Sequence, residues 1–266
     1  MTYFLSPGHF KDEQVRLKEL SDFLLPFTEK VLASCGLKAG SHCLDFGCGN
    51  GDGSVTLGKF VRKIGSVTCV DADQETTNLC MQNLQNRTET NYYTLPACDL
   101  INTDYIDKTF DFVFCRNVVM HQKNPETFLQ KLYEKLNPNG ILCVIESNIQ
   151  MYSKPHNHVI QKYIDLIHDL WYKEGLDPKI CDKLPVYFSQ IFKTNQVYTL
   201  NTSLSHPGNH LTGIIAWYQS VLPTMTDKGL SSKQEYNQWY NDLKYSQHIN
   251  EITMDKVSAI WAVKTE

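Results

Sequence analysis

Between Cys43 and Gly53 the chain reads Cys-Leu-Asp-Phe-Gly-Cys-Gly-Asn-Gly-Asp-Gly, and this stretch constrains the fold more than any other. A short apolar run holding one acid, Asp45, meets glycines at 47, 49 and 51. Helix-like sequence follows from Ser54 to about Ile64. The pattern reads as a buried strand, a tight backbone turn and the start of a helix. Glycines at such a turn allow positive φ and let a ligand approach the main chain. The helix behind it offers free N–H groups and the positive end of its dipole. The unit is the opening of an α/β sheet with a binding surface at its turn.

The glycine spacing narrows the ligand. A dinucleotide fingerprint, Gly-x-Gly-x-x-Gly, needs its third glycine at position 52. That position is Asp, whose charge would face a pyrophosphate with the wrong sign. Strand and helix then alternate. His42 to Phe46 is the first strand, and Gly65 to Val70 the second, ending in Asp71. An acid there can accept from the ribose hydroxyls of an adenosine ligand. It can also cap the helix over 74–86, a role Asp73 can fill equally well. Tyr92 to Ala97 is the third strand; beyond it Asp99 can accept from an adenine amino group, and the Leu100 N–H can reach the ring. Phe110 to Cys115 is the fourth strand and runs on into Arg116-Asn117-Val118-Val119-Met120-His121. A helix from Pro125 to Leu136, a turn over Asn137-Pro138-Asn139-Gly140 and a fifth strand from Ile141 to Ile145 follow.

From Asp45 to Glu146 these stretches together resemble the class I S-adenosylmethionine-dependent methyltransferases, in particular the small-molecule branch that acts on quinones and natural products. Asp-x-Gly-x-Gly-x-Gly looks like that family's cofactor loop. S-adenosylmethionine carries no phosphate, but it has a sulfonium and an ammonium that a carboxylate suits. The resemblance covers roughly the first 150 residues well and the remainder more weakly. It implies cofactor contacts from Asp45, Gly47, Cys48, Gly49 and Gly51 in the turn, Asp71 and Ala72 at the ribose, and Asp99 and Leu100 at the adenine. Cys115, Arg116 and Asn117 would follow from the fourth strand. His121 falls near where the methyl group should point. Two roles fit it: a general base for a hydroxyl or carbon acceptor, or a residue that packs against or caps the next helix.

The fold expected is α/β: a seven-stranded, mostly parallel sheet with helices on both faces. An N-terminal helical segment (1–36) would act as a lid, 37–150 as the cofactor-binding core, and 151–266 as substrate-cap helices with the closing strands. In the first segment Leu17, Leu20, Leu24, Phe27, Val31 and Leu32 share one helical face, and Pro26 is a point where the helix can divide. Leu184 onward and Val197 to Leu200 resemble the family's later helix and sixth strand, and Ser258 to Val263 its closing strand. The helical stretches between, about 156–174 and 211–244, are rich in aromatic residues, which would suit an apolar or aromatic acceptor while serving mostly as core.

Composition closes off other classes. Net charge is −4, with no basic run for nucleic acid. No apolar run approaches a membrane span, and no secretory leader is expected at the N-terminus. Nine cysteines with no Cys-x-x-Cys pair read as reduced thiols of a cytoplasmic protein, with Cys48 exposed in the loop. His156, His158, His206 and His210 match no tight ligand set, so no metal is expected. The function implied is methyl transfer to a small molecule. A catalytically silent S-adenosylmethionine-binding regulatory or assembly protein is the alternative, with an NAD(P) oxidoreductase behind it.

Overall fold

The computed structural model describes residues 10–96, 103–207, 211–245 and 251–265. Its centre is a sheet in the order β3-β2-β1-β4-β5-β8, built from β1 (His42–Phe46), β2 (Ser66–Val70), β3 (Asn91–Thr94), β4 (Phe110–Arg116), β5 (Leu136–Ser147) and β8 (Glu251–Val263). The first five run parallel; β8 is antiparallel to β5. Two more strands pair antiparallel with β8, β6 (Met151–Lys154) and β7 (Tyr198–Pro207).

The described sheet thus has eight strands, where seven were expected. The extra one is β6, and register explains it. β5 pairs with residues 257–263 of β8, and β6 with residues 251–254. β7 covers both stretches, so β5 and β6 share the other edge of β8 end to end. They are one strand broken by a jog at Asn148-Ile149-Gln150, held where the Asn148 N–H donates to the Lys256 carbonyl (2.9 Å) and the Ile149 N–H to that of Pro178 (2.8 Å).

The central parallel strands, β1 and β4, are largely apolar on both sides, as strands covered by helices on both faces are. Alternate residues enter opposite cores. Leu44, Val113, Cys115 and Val144 join one; Cys43, Phe112, Phe114 and Cys143 join the other. The first core takes α4 (Pro125–Glu134), α5 (His158–Lys173), α6 (Leu184–Phe192), α7 (Leu211–Asp227) and α8 (Lys233–Tyr245). The second takes α1 (Phe10–Ser34), α2 (Asp52–Val61) and α3 (Gln74–Leu84).

Leu24, Phe27, Val31 and Leu32 of α1 are buried, as their spacing predicts. Pro26 does not divide the helix, which runs through it. Proline removes one N–H, and here both Pro26 and Asp22, whose carbonyl loses that bond, lie on the exposed side. The turn read before the fifth strand is an irregularity inside β5: Phe110 pairs with Leu136 and Phe112 with Ile141, and Asn139 takes φ 63°. Of the aromatic residues in the later helices, Tyr163, Trp171, Phe188, Phe192, Tyr218 and Trp239 are buried, whereas Tyr172 and Tyr240 are exposed. No described helix is long and apolar enough to cross a membrane.

Candidate functional site

β1 pairs with β2 on one side and β4 on the other, so successive connections leave it in opposite directions. At such a switch point the carboxyl ends of the strands frame a crevice. A cavity of about 330 Å³ lies there.

The glycine turn forms its floor. Gly47, Gly49 and Gly51 take φ of 80°, 54° and 91°, a region that L side chains rarely adopt. The N–H groups of Gly47 and Cys48 donate to the Val70 carbonyl at 2.8 and 3.0 Å, tying the turn to β2. A Cβ on Gly47 would lie 2.2 Å from Val118 Cγ2, so this glycine admits a close approach by the segment after β4. A Cβ on Gly49 would meet nothing within 4 Å, which leaves the space over it to a ligand. Gly51 begins α2 and sits against Cys80 and Leu84 instead.

Two carboxylates look into this floor. Asp45 is buried and accepts from Ser54 Oγ at 2.6 Å. Burial and the neighbouring Cys69 push its carboxyl up to about 7, against the pull of Ser54 and Arg116. Asp71 accepts from the N–H groups of Gly49 (2.9 Å), Ala72 (2.7 Å) and Asp73 (3.2 Å). Burial raises its carboxyl, and those N–H groups oppose the rise. The two readings of Asp71 now separate. Asp73 caps α3 through the Thr76 N–H (2.7 Å), and Asp71 faces the cavity. A negative floor suits a cationic ligand.

Arg116 reaches from the end of β4 to α1. It donates to Ser21 Oγ at 2.8 Å and lies 3.4 Å from Thr28 Oγ1. Burial lowers the hold of its guanidinium on the proton, with Asp45 and Asp52 working the other way. Asn117, in the left-handed region at φ 54°, turns the chain, and its N–H donates to the Ile145 carbonyl (2.9 Å). A 3₁₀ turn over Val119–His121 follows. Its His121 ring lies 5.7 Å from that of Trp171, facing the cavity. The cap position of α4 is Asn124, which makes no side-chain bond to the helix. The far wall is apolar and aromatic, with Met120, Ile149, Met151, Trp171, Trp217 and Ile252.

Asp45, Gly47, Cys48, Gly49, Asp71, Arg116, Asn117 and His121 therefore meet at one cavity. Gly51, Ala72 and Cys115 do not line it; Ala72 packs on the core and Cys115 is fully buried in it. Asp99 and Leu100 lie outside the described residues. Cys48 is buried, contrary to expectation, with its thiol 3.7 Å from the Gly49 carbonyl. No cluster of three or more metal-ligating side chains occurs among the described residues. The sequence reading missed Ser21 and Phe23 of α1, Ser147 and Ile149 at the jog, and Glu146. Glu146 carried a signal: a charge ends an otherwise apolar run, Ile141-Leu142-Cys143-Val144-Ile145.

Residues 44–144 match the family model described as a methyltransferase domain. Over these residues the chain is similar to the class I S-adenosylmethionine-dependent methyltransferases. It is 26% identical over 133 residues to the demethylmenaquinone methyltransferase of Lactobacillus johnsonii, covering 50% of this chain and 52% of that one. It is 25% identical over 236 residues to the (S)-tetrahydroprotoberberine N-methyltransferase of Eschscholzia californica, covering 86% and 64%. The phosphoethanolamine N-methyltransferase 2 of Haemonchus contortus, solved with S-adenosylhomocysteine, shares the fold at TM-score 0.51 and 17% identity over 86% of this chain and 50% of that one. The chain spans about half the length of the first curated relatives it matches. The glycine turn and both floor carboxylates fall within residues 44–144.

Gly47→Ala should destabilise the domain by about 2–6 kcal/mol, from a strained positive φ and an overpacked contact of about 1–3 kcal/mol each. Urea denaturation reads the loss. Val118→Ala in the same chain should recover the packing part, and an equal loss in both backgrounds would remove the Gly47–Val118 contact from the account.

Proposed function

We propose that this chain transfers a methyl group from S-adenosylmethionine to a small apolar or aromatic acceptor by in-line displacement. One observation carries the reading: a single cavity has a carboxylate-lined glycine floor and an apolar, aromatic far wall. S-adenosylmethionine, when bound, supplies a methyl group on a sulfonium whose departure leaves a neutral thioether.

The residues divide the work. Asp71 holds the ribose hydroxyls: its two oxygens accept three N–H bonds and retain capacity for more, since a carboxylate has about four acceptor sites. Asp45 offers negative charge to the ammonium, and Gly49, bare of a side chain, leaves room over the turn for the methionine part of the ligand. Asp99 and Leu100 are assigned to the adenine. Arg116 pins α1 to the sheet, and α1 serves as a lid that excludes water, with 37–150 as the binding core and the later helices as the cap. Holding donor and acceptor in line can contribute about 7–11 kcal/mol, so alignment is the larger share of the chemistry. His121 takes a proton only where the acceptor is a hydroxyl or a carbon. The acceptors named for the relatives, demethylmenaquinone and tetrahydroprotoberberine, set the range to test first. Reduced, buried thiols fit a cytoplasmic setting.

Incubation with methyl-labelled S-adenosylmethionine and a panel of quinol, phenol and amine acceptors tests the reading; label should appear in one class. Asp71→Ala should weaken S-adenosylmethionine and S-adenosylhomocysteine together by about 10–100-fold, the loss of charge-assisted hydrogen bonds worth about 1.5–3 kcal/mol. His121→Ala should leave both affinities unchanged and lower turnover by about 10²–10⁴ where a base is needed. Unchanged affinity in Asp71→Ala would refute the ribose assignment.

Asp45 generates a pH prediction. Its raised carboxyl contributes stability that is fully present below about pH 4 and is lost as pH rises through about 7. A cationic ligand reverses the preference and drives the proton off. Binding of S-adenosylmethionine at pH 6.5 should therefore release protons and weaken as pH falls. Calorimetry in buffers of different ionisation enthalpy measures the release, which Asp45→Asn should abolish.

A further inference from the structure

Glu146, next to last in β5, is fully buried. One oxygen, Oε1, accepts from the N–H of Val118 at 2.8 Å and from that of Val119 at 2.6 Å. The other, Oε2, has no hydrogen-bond partner among the described residues. A buried carboxyl satisfied on one side only is a destabilising choice, since a buried polar atom without a partner has lost its hydration and regained nothing for it. Burial pushes its carboxyl up to about 8 even though the N–H groups of Val119, Val118 and Met120 oppose the rise. Stability does not explain such a group, and its two bonds point to what does.

Val118 and Val119 stand directly before Met120 and His121, whose side chains form part of the cavity wall. Val118 is also the residue that meets Gly47 of the cofactor turn. Further ties hold the same few residues. The Asn117 N–H donates to the Ile145 carbonyl at 2.9 Å, next to Glu146 in β5. Buried Gln122 donates from Nε2 to the Val118 carbonyl at 3.1 Å. The first N–H groups of a 3₁₀ turn have no partner within it, and Glu146 supplies one from across the sheet.

We infer that Glu146 is the positioning residue of the transfer site: its carboxylate fixes the 118–121 turn, seating Val118 on Gly47 and aiming His121 at the acceptor wall. The role rests on the transfer reading of the cavity. Glu146 touches neither ligand; it sets the distance between the surface that holds the donor and the surface that holds the acceptor. What matters is the reach of its Oε1, not its charge.

Two variants separate reach from charge. Glu146→Gln keeps an Oε1 acceptor at the same reach and removes the charge. Glu146→Asp keeps the charge and withdraws it by one methylene. The reporters are the His121 Cε1–H resonance, shifted by the Trp171 ring and assigned with His121→Ala, and S-adenosylhomocysteine affinity. Glu146→Gln should leave the resonance in place and the affinity within about twofold, whereas Glu146→Asp should displace the resonance and weaken binding about tenfold, equal to 1.4 kcal/mol. A loss of stability alone, with the resonance unmoved in both variants, would overturn the proposal, as would a displaced resonance in Glu146→Gln. Should Glu146→Asp fail to fold, Glu146→Met, which fills the space but offers no Oε1 acceptor, takes its place: a displaced resonance is expected, and an unmoved one overturns the proposal. A wild-type chain that does not bind S-adenosylhomocysteine would sink the transfer reading, while the His121 resonance would still report on Glu146.

Discussion

The site depends on the approach of Val118 to the bare backbone of Gly47. A Cβ at position 47 would stand 2.2 Å from Val118 Cγ2, so the turn after β1 and the turn after β4 fit only because one of them lacks a side chain. The parallel pairing of β1 with β4 brings the two turns to the same end of the sheet. Gly47 lines the floor of the cavity, and Val118 begins the segment that ends in His121. Their contact joins the two halves of the cavity, and interiors packed this closely transmit small displacements. Glu146 holds the Val118 side of that joint from β5, and Val70 holds the Gly47 side from β2.

The electrostatics follow from the same placement. Asp45 and Asp71 lie near the carboxyl ends of neighbouring strands, and both carboxyls are raised chiefly by burial. Two acids in a shared, poorly solvated space ionise reluctantly unless a cation joins them. A dinucleotide phosphate would worsen that balance, and a sulfonium with an ammonium relieves it. Arg116 offsets part of the charge, but its hydrogen bonds go to Ser21 and Thr28 of α1. Its geometry ties α1 to the end of β4. The apolar far wall, with Trp171 and Trp217 in edge contact at 5.8 Å, contributes shape and water exclusion.

Much of this was legible in the sequence because the first half of the chain obeys local rules. Glycines spaced by two after an apolar strand, an acid at the end of each of the first two strands, and continuous apolar runs gave the order of elements and most floor residues. Gly51, Ala72 and Cys115 belong to the same motifs, yet their directions are set by packing: Gly51 turns toward α3, and the side chains of Ala72 and Cys115 enter the core. Cys48 was misjudged for the same reason, since a loop position says nothing about what lies beneath it. The jog between β5 and β6 could not be read, because it arises from how residues 251–263 pair with two segments at once. Glu146 was visible as a charge in an apolar run, but its partners come from a turn 27 and 28 positions away in the chain.

The central claim is that this cavity binds the adenosyl-sulfur cofactor. Thermal unfolding of the purified chain with S-adenosylhomocysteine, S-adenosylmethionine, NAD and NADP, each at about a hundred times a plausible dissociation constant, tests it most directly. A ligand that binds only the folded state adds about 2.7 kcal/mol at that excess. The account predicts a rise in the midpoint with S-adenosylhomocysteine and S-adenosylmethionine alone. A rise with the nicotinamide nucleotides, or with none of the four, would contradict it.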